Sequence, residues 1–215
     1  MAAIIVLIGA PGAGKGTQAR LLQERMGLPQ ISTGDIFRSL AEANTPLANE
    51  VRDIQQAGRL IPDQIVIRVV EERTSQDDCR NGYILDGFPR TAAQAEMLEH
   101  LAERQGKGIK AILIDVPTEL LMKRLTGRRT CSVCGEIYNI YFKPPKFDNR
   151  CDLHPERELL HRADDAPEKI QVRLETYANE TAPLLNYYER NNRLHRIDGT
   201  REVEKIYADV QRVLG

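Results

Sequence analysis

Residues 9–17 read Gly-Ala-Pro-Gly-Ala-Gly-Lys-Gly-Thr, and they decide the fold of this 215-residue chain. The apolar run at residues 4–8 precedes them and predicts a buried parallel strand. Residues 18–26 follow them and predict a helix. A strand, a glycine-rich turn and a helix in this order are the context in which the pattern G-x-x-x-x-G-K-[ST] predicts a phosphate-binding P-loop.

A loop of this composition can bind phosphate with its own backbone. Its four glycines can adopt positive φ angles, which lets successive N–H groups point at one anion. The helix that follows adds the positive end of its dipole. Lys15 supplies a charge for the β- and γ-phosphates and Thr17 a hydroxyl near Mg²⁺, although the pattern places Ser or Thr where this chain has Gly16. A tight turn without a ligand is the alternative, but it would gain nothing from the lysine.

Composition and charge argue against several classes of protein. Lys and Arg total 30 and Asp and Glu total 31, and this net charge of −1 argues against binding to nucleic acid or to an anionic membrane through bulk charge. No apolar run approaches the roughly 20 residues that span a bilayer, and the first apolar run has no basic leader typical of a signal peptide. We expect a cytoplasmic protein whose four cysteines are reduced or bind a metal.

Predicted strands alternate with predicted helices, which favours a parallel sheet covered on both faces. Ligands bind such sheets at the carboxyl ends of the strands, where the P-loop, Asp86 and Asp115 stand. Strands are predicted at residues 4–8, 30–32, 83–86, 109–116 and 194–197. Long helices are predicted at residues 18–26, 62–74, 92–104, 117–127, 167–191 and 201–214.

Two short helices are predicted between residues 32 and 61, as an insertion in this alternation. Residues 33–35, Thr-Gly-Asp, offer cap chemistry for the first of them. Thr45 is predicted to cap the second, with Pro46 at its first helical position and its end near residues 57–58.

The composition changes over residues 128–165, where cysteines and aromatic residues cluster and no helical periodicity is present. This predicts a small inserted β-rich segment, called the excursion below. Cys131 and Cys134 are separated by two residues, and so are Cys151 and His154, with 16 residues between the pairs. This spacing matches a structural zinc site with three cysteines and one histidine. The protein would supply all four ligands, so the zinc would hold the excursion together.

Three alternatives stay open for this excursion. The cysteines could form disulfides or remain free thiols, and Asp152 or His161 could replace His154 as a ligand. A zinc ribbon that binds nucleic acid is the third. However, residues 128–165 hold seven Lys or Arg and seven Asp or Glu, whereas a protein that binds the phosphate backbone should be clearly basic.

The P-loop, residues 86–90 (Asp-Gly-Phe-Pro-Arg) and the cysteine-bearing excursion together resemble adenylate kinases of the long type, which carry a zinc-binding lid. The resemblance covers essentially the whole chain, and the Gly16-Thr17 ending belongs to this family's version of the loop. Further matching segments are residues 31–35, 127–129, 162–165 and 198–200.

The resemblance implies an α/β fold of the P-loop kinase type, with a central parallel β-sheet flanked by helices. It implies a core of residues 1–31, 62–126 and 165–215, an inserted helical AMP-binding segment at residues 32–61, and an inserted β-rich zinc lid at residues 127–164. The implied reaction is Mg²⁺-dependent, reversible phosphoryl transfer from ATP to AMP, giving two ADP. A monomer is implied, with Mg²⁺ accompanying ATP and structural Zn²⁺, and with no nucleic-acid or membrane partner.

The resemblance also implies roles for individual residues, and residues 88–89 match its cis Phe-Pro peptide. The catalytic group is Lys15, Arg90, Arg124, Arg128, Arg162, Arg173 and Asp86, the last holding Mg²⁺ through water. The ATP site is Gly12, Ala13, Gly14, Lys15, Gly16, Thr17, Arg128, Ile137, Tyr138 and Arg201. The AMP site is Thr33, Arg38, Arg59, Leu60, Ile61, Gly87, Phe88, Pro89, Arg90, Gln94, Arg162 and Arg173. The metal ligands are Cys131, Cys134, Cys151 and His154.

Physical chemistry supports these roles, because phosphoryl transfer needs alignment and neutralised charge more than a protein nucleophile. Arginine suits the task because its fork binds phosphate oxygens in pairs and stays charged. Each arginine could instead be a solvated surface charge or pair with Asp164 or Asp165. Asp115 could replace Asp86 as the carboxylate near the metal. Gln94 could be an ordinary exposed residue, although its amide can donate to and accept from adenine together.

Two other functions stay open. A kinase for another nucleoside monophosphate, UMP or CMP, would share most of these features, although the zinc-type lid and Gln94 favour adenine. A non-catalytic, zinc-bearing nucleotide sensor would keep the P-loop without needing the arginines. A GTPase is not indicated, since the sequence has no Asn-Lys-x-Asp pattern for guanine.

Overall fold

The computed structural model describes residues 2–43, 45–57 and 59–215. Five strands form one parallel sheet in the order β2-β3-β1-β4-β7, and the remaining two pair antiparallel in a small separate sheet. This confirms the predicted α/β fold class. The strands are β1 Ala3–Ile8, β2 Gln30–Ser32, β3 Gly82–Asp86, β4 Gly108–Asp115, β5 Arg128–Thr130, β6 Ile137–Asn139 and β7 Leu194–Asp198.

Helices follow the strands of the large sheet, as the alternation predicts. They are α1 Lys15–Met26, α2 Thr33–Ala41, α3 Pro46–Gln56, α4 Asp63–Thr74, α5 Ala92–Gln105, α6 Thr118–Thr126, α7 Pro167–Thr176, α8 Leu184–Arg190 and α9 Val203–Leu214. No helix among the described residues is long and apolar enough to cross a bilayer.

The central strand β1 is buried on both faces, and its alternating side chains divide the core in two. Ile4 and Val6 pack in a cluster with residues of α4, α5 and α8, such as Leu98. Ile5 packs on the opposite face with residues of α1 and α9, such as Leu22. Successive side chains of a strand point to opposite faces, so an unbroken apolar run suits a strand covered on both sides.

The long helix predicted over residues 167–191 is interrupted, so that prediction is wrong as a single α-helix. A π-helical turn, Tyr177–Thr181, follows α7, and α8 begins only at Leu184. Pro183 precedes α8 and has no N–H to donate to the preceding turn. The hydrophobic periodicity continues across the interruption, and the sequence signal that marks the break is Pro183, inside the predicted span.

Two predicted helix starts need correction. Helix α1 begins at Lys15, three residues before the predicted start, because the glycine-rich segment takes helical geometry despite its low propensity. For α2, Ser32 rather than residues 33–35 provides the cap, with its Oγ accepting from the Asp35 N–H at 3.2 Å. The predicted cap of α3 is confirmed, since the Thr45 hydroxyl accepts from the Ala48 N–H at 3.1 Å. Helix α3 ends at Gln56. Its end is predicted near residues 57–58, and residue 58 lies outside the described residues.

Candidate active site

The P-loop passes from the end of β1 into α1 through three glycines in left-handed conformations. Gly9, Gly12 and Gly14 have φ angles of 153°, 84° and 103°. A Cβ atom on Gly9 would lie 2.7 Å from the carbonyl oxygen of Ile114 in β4, so only glycine fits there. Gly16, by contrast, lies within α1 and does not have a positive φ.

The position after the lysine lies between the core and the excursion. A Cβ on Gly16 would be 3.4 Å from Asp86 Oδ2 and 4.0 Å from Ile137 Cδ1. Both are ordinary van der Waals distances, so the packing around Gly16 leaves room for a Cβ atom where the general pattern places Ser or Thr. Because α1 begins at Lys15, the N–H groups of Lys15, Gly16 and Thr17 face the loop without acceptors inside the helix.

The Lys15 ammonium lies over the loop. Its Nζ donates to the carbonyl oxygens of Gly9 at 2.8 Å and Ala10 at 3.2 Å. Burial lowers the pKa of Lys15 to about 8, while the nearby Asp86 carboxylate opposes this shift. The charges of Arg90, Arg173 and Arg128 lower it further. These three arginines therefore lie close enough to Lys15 to form one cluster of positive charge.

A buried carboxylate holds two of the arginines side by side. Arg128 donates from Nε and Nη2 to the two oxygens of Asp165, at 2.7 and 2.5 Å. Arg173 donates from Nη1 to Asp165 Oδ1 at 2.9 Å and to the Asp164 carbonyl oxygen at 2.8 Å. The pairing with Asp164 or Asp165 that the sequence leaves open is therefore present for both arginines. Each guanidinium has five N–H donors, so both keep donors for a ligand.

Backbone carbonyls hold two further arginines. Arg90 donates from Nε to the Gly87 carbonyl at 2.8 Å. Arg124 donates from Nη2 to the Gly199 carbonyl at 2.9 Å and from Nη1 to the Ala13 carbonyl, in the P-loop, at 3.3 Å. Burial lowers the pKa of both arginines, and the charge of Arg173 adds to the effect at Arg90.

The other predicted arginines lie in different settings. Burial lowers the pKa of Arg162 to about 10, and the charges of Arg128 and Arg38 add to this shift, so Arg162 lies beside the cluster. Arg38 forms an ion pair with Asp35 within α2. Arg59 is exposed, and so is Arg201, which pairs with Asp209 of α9 at 2.5 Å.

The two candidate metal-side carboxylates also differ in their surroundings. Asp86 ends β3 beside the P-loop, and burial raises its pKa while the Lys15 charge opposes the shift. Asp115 ends β4 and is exposed.

A second cleft lies between α2, the loop before α4, and the loop after β3. It brings together seven residues of the predicted AMP site with three that the sequence does not single out for it, Gly34, Phe37 and Val66. Phe88 and Pro89 are buried nearby and are joined by a cis peptide bond. The lining residues are Thr33, Gly34, Phe37, Arg59, Leu60, Ile61, Val66, Gly87, Arg90 and Gln94.

Gln94 is buried in this cleft, with 2% of its surface exposed, so the alternative of an exposed helix residue is wrong. Its Oε1 accepts from the backbone N–H of Arg90 at 2.8 Å. Its Nε2 donates to Asp63 Oδ1 at 2.6 Å. Sequence reasoning missed Asp63, because it precedes Gln94 by 31 residues and no local pattern links them.

Four side chains of the excursion converge as the repeated spacing predicts. The ligand atoms of Cys131, Cys134, Cys151 and His154 all lie within 4.8 Å of one another. The sulfurs of Cys134 and Cys151 are 3.8 Å apart and none of the cysteines is in a disulfide, so the disulfide alternative is wrong. His154 Nδ1 lies 3.9 Å from Cys131 Sγ and 3.8 Å from Cys151 Sγ. The competing ligand Asp152 accepts instead from the Lys146 N–H at 2.8 Å.

The same excursion lies against the core. Arg20 of α1 donates to Glu136 Oε2 at 2.6 Å and also to the Cys134 carbonyl. Tyr138 is buried inside the excursion, where its hydroxyl lies 3.6 Å from Cys151 Sγ, so its ring does not face the P-loop.

Comparisons with known proteins agree with this geometry. The family model described as "Adenylate kinase" matches residues 7–193. An adenylate kinase of Clostridium perfringens (strain SM101) is 46% identical over 212 residues, which cover 98% of each chain. An adenylate kinase of Clostridium botulinum (strain Loch Maree) is 44% identical over 212 residues, again covering 98% of each chain. The chain therefore belongs to the adenylate kinase family of nucleoside monophosphate kinases.

Proposed function

We propose that this chain catalyses reversible phosphoryl transfer from ATP to AMP, giving two ADP. One observation carries the proposal. The P-loop with Lys15 follows β1, and the loop with Arg90, which lines the second cleft, follows the neighbouring strand β3, so the two loops emerge side by side beyond the Leu7–Asp86 pair. Two phosphate-binding regions therefore meet at one cluster of cations, which suits two nucleotides placed end to end.

The roles follow from where the cations lie. The N–H groups of residues 12–17 and Lys15 bind the phosphates of ATP, while Arg38 and Arg90 hold the phosphate of AMP. Four arginines neutralise charge that spreads over the transferred group: Arg124, Arg128, Arg162 and Arg173. Asp86 would hold Mg²⁺ through water, and the ion would supply further neutralisation when ATP is bound.

Recognition of the two nucleosides uses residues farther from the cluster. Ile137, the backbone of Tyr138, and Arg201 contribute to the ATP side. On the AMP side, Phe88 and Pro89 shape the loop that carries Gly87 and Arg90. The residues that contact AMP beyond this loop are Thr33, Arg59, Leu60, Ile61 and Gln94.

Two inserted parts would close over these nucleotides. We assign residues 32–61 to the AMP-binding insert, residues 127–164 to the lid, and residues 1–31, 62–126 and 165–215 to the core. The cleft holds about 60 Å³, below the roughly 300 Å³ of ordinary ligand pockets, so the insert would move to admit AMP. Closure excludes water, which would otherwise compete as the phosphoryl acceptor. We also propose a cytoplasmic monomer, in which the free cysteines stay reduced.

A coupled assay for ADP tests the proposal. With ATP and Mg²⁺, we expect turnover with AMP to exceed turnover with CMP, UMP or GMP, and to vanish when Mg²⁺ is removed. Lys15→Ala should lower kcat by about 100-fold or more, since it removes a charge that stabilises the transition state. Faster turnover with UMP or CMP would favour the other kinase, and nucleotide binding without turnover would favour the sensor.

We propose that the four-residue cluster holds one structural Zn²⁺. A tetrahedral zinc with Zn–S bonds of about 2.3 Å separates neighbouring ligand sulfurs by about 3.8 Å. The observed separation of Cys134 and Cys151 sulfurs, 3.8 Å, agrees with that value. Because the protein supplies all four ligands, the ion would stabilise the lid without taking part in the reaction.

Elemental analysis of the purified, unchelated protein should find one zinc per chain. We expect Cys151→Ser to lose the metal, whereas Cys79→Ser, which changes a buried cysteine outside the cluster, should keep it. Removing the metal with a chelator should affect the stability of the lid more than the chemical step. We expect the melting temperature of the lid to fall, while turnover in the closed state changes less. Absence of zinc from the wild-type protein, or a chelated and folded protein without any activity, would contradict this assignment.

The pKa of Lys15 predicts a pH dependence. Since its pKa in the free protein is about 8, raising the pH through this value removes the charge that binds ATP. We expect kcat/KM for ATP to fall tenfold per pH unit above pH 8. At saturating ATP, kcat should hold to higher pH, because bound phosphates favour the charged lysine. In Lys15→Arg, the residual kcat/KM should stay level over this range. A wild-type profile that is level to pH 10 would contradict the assignment.

A further inference from the structure

We propose that Asp63 makes the cleft selective for adenine over guanine, by fixing the orientation of the Gln94 side-chain amide. This role for Asp63 rests on the proposed function, because it requires AMP to lie with its base next to Gln94.

The amide is held at both ends. Gln94 lies in the first turn of α5, where its backbone N–H donates to the Thr91 hydroxyl at 3.1 Å. Its side-chain oxygen accepts from the Arg90 N–H at 2.8 Å, and its side-chain nitrogen donates to Asp63 Oδ1 at 2.6 Å. Since Gln94 is nearly fully buried, little water is present to replace either partner.

The chemistry of the two partners leaves one orientation. A backbone N–H can only donate, and an ionised carboxylate can only accept. Rotating the Gln94 amide by half a turn would place its NH₂ against the Arg90 N–H and its oxygen against the Asp63 carboxylate. Both hydrogen bonds would be lost, and like groups would face each other in a buried place.

The orientation matters because the amide still has capacity for a ligand. Its oxygen keeps one acceptor site and its nitrogen keeps one donor, side by side. Adenine presents the N6 amino donor beside the N1 acceptor, which complements this pair. Guanine presents the O6 acceptor beside the N1–H donor, which opposes it and would match only the rotated amide. A fixed amide therefore rejects guanine.

A purely structural role for Asp63 is the competing explanation. Asp63 is the first residue of α4, where its negative charge also stabilises the positive end of the helix dipole. Glu119 also lies in the first turn of its helix, α6, but the Gln94 amide bonds to Arg90 and Asp63 and not to Glu119. Glu119→Gln is therefore a matched control for the loss of charge at a helix N-terminus.

The experiment measures kcat/KM for AMP and for GMP with the full-length protein and saturating Mg-ATP. In Asp63→Asn, the new amide can accept from the wild-type Gln94 amide or donate to a rotated one. Only the Arg90 N–H then still selects the orientation, so the rotated amide that complements guanine becomes less costly. We expect the AMP-to-GMP ratio of kcat/KM to fall by about tenfold or more, with the KM for ATP unchanged. Glu119→Gln should keep the wild-type ratio, and Asp63→Glu, which restores a carboxylate, should recover much of it.

An unchanged ratio in a folded Asp63→Asn protein would overturn this role, whatever the loss of stability. Should that variant fail to fold, the wild-type protein gives a second test by NMR. Its Gln94 side-chain amide protons should give one set of resonances and exchange slowly with water, whereas two sets or fast exchange would overturn the role. A wild-type protein without AMP turnover would instead contradict the proposed function, so the two failures are distinguishable.

Discussion

The contact between one buried carboxylate and two arginines governs the candidate site. Asp165 is fully buried, and the Arg128 and Arg173 side chains that it binds are 15% and 19% exposed. Cations gathered in a place with little water repel one another and lose hydration. A carboxylate between them offsets both costs and fixes the two guanidinium groups before any nucleotide arrives. Cations that are fixed in advance need no reorganisation when negative charge shifts during transfer.

The parallel sheet explains why this contact lies beside the P-loop. Strands β1 and β3 are neighbours, with Leu7 paired to Asp86 near their carboxyl ends. The P-loop follows β1 and the loop to Arg90 follows β3, so the two loops emerge next to each other. Arg124 then ties the last turns of α6 to the P-loop through the Ala13 carbonyl. The register of the sheet thus sets which loops can share one cluster of charge.

Much of the fold could be predicted from the sequence, because the sequence patterns that indicate it lie within short continuous segments. The strand, glycine-rich turn and helix at residues 4–26 are continuous in the chain. The clustering of Cys131, Cys134, Cys151 and His154 is also visible in their repeated two-residue gap. Apolar runs bounded by turn residues likewise indicate the strands of the large sheet. Local patterns of this kind reflect backbone geometry, which neighbouring residues determine.

The features that sequence reasoning missed depend on contacts between distant segments. The hydrogen bond between Asp63 and Gln94 joins α4 to α5, and the Tyr138 hydroxyl lies against Cys151 inside the excursion. No local pattern around Asp63 or Tyr138 announces these contacts, because each partner lies more than ten residues away in the chain. The start of α1 was missed for a related reason, since packing and the P-loop outweigh the poor helix propensity of Gly16.

The most direct test of this account is the kcat of Asp165→Asn, measured with saturating ATP, AMP and Mg²⁺. A neutral amide cannot hold both arginines, and misplacement of catalytic groups by about 1 Å can cost about 100-fold in rate. The account predicts a fall in kcat of about that size in a protein that still binds both nucleotides and keeps its circular dichroism spectrum. Glu99→Gln, which breaks the partly buried pair with Arg193, should keep the wild-type kcat. A folded Asp165→Asn protein with the wild-type kcat would contradict the account.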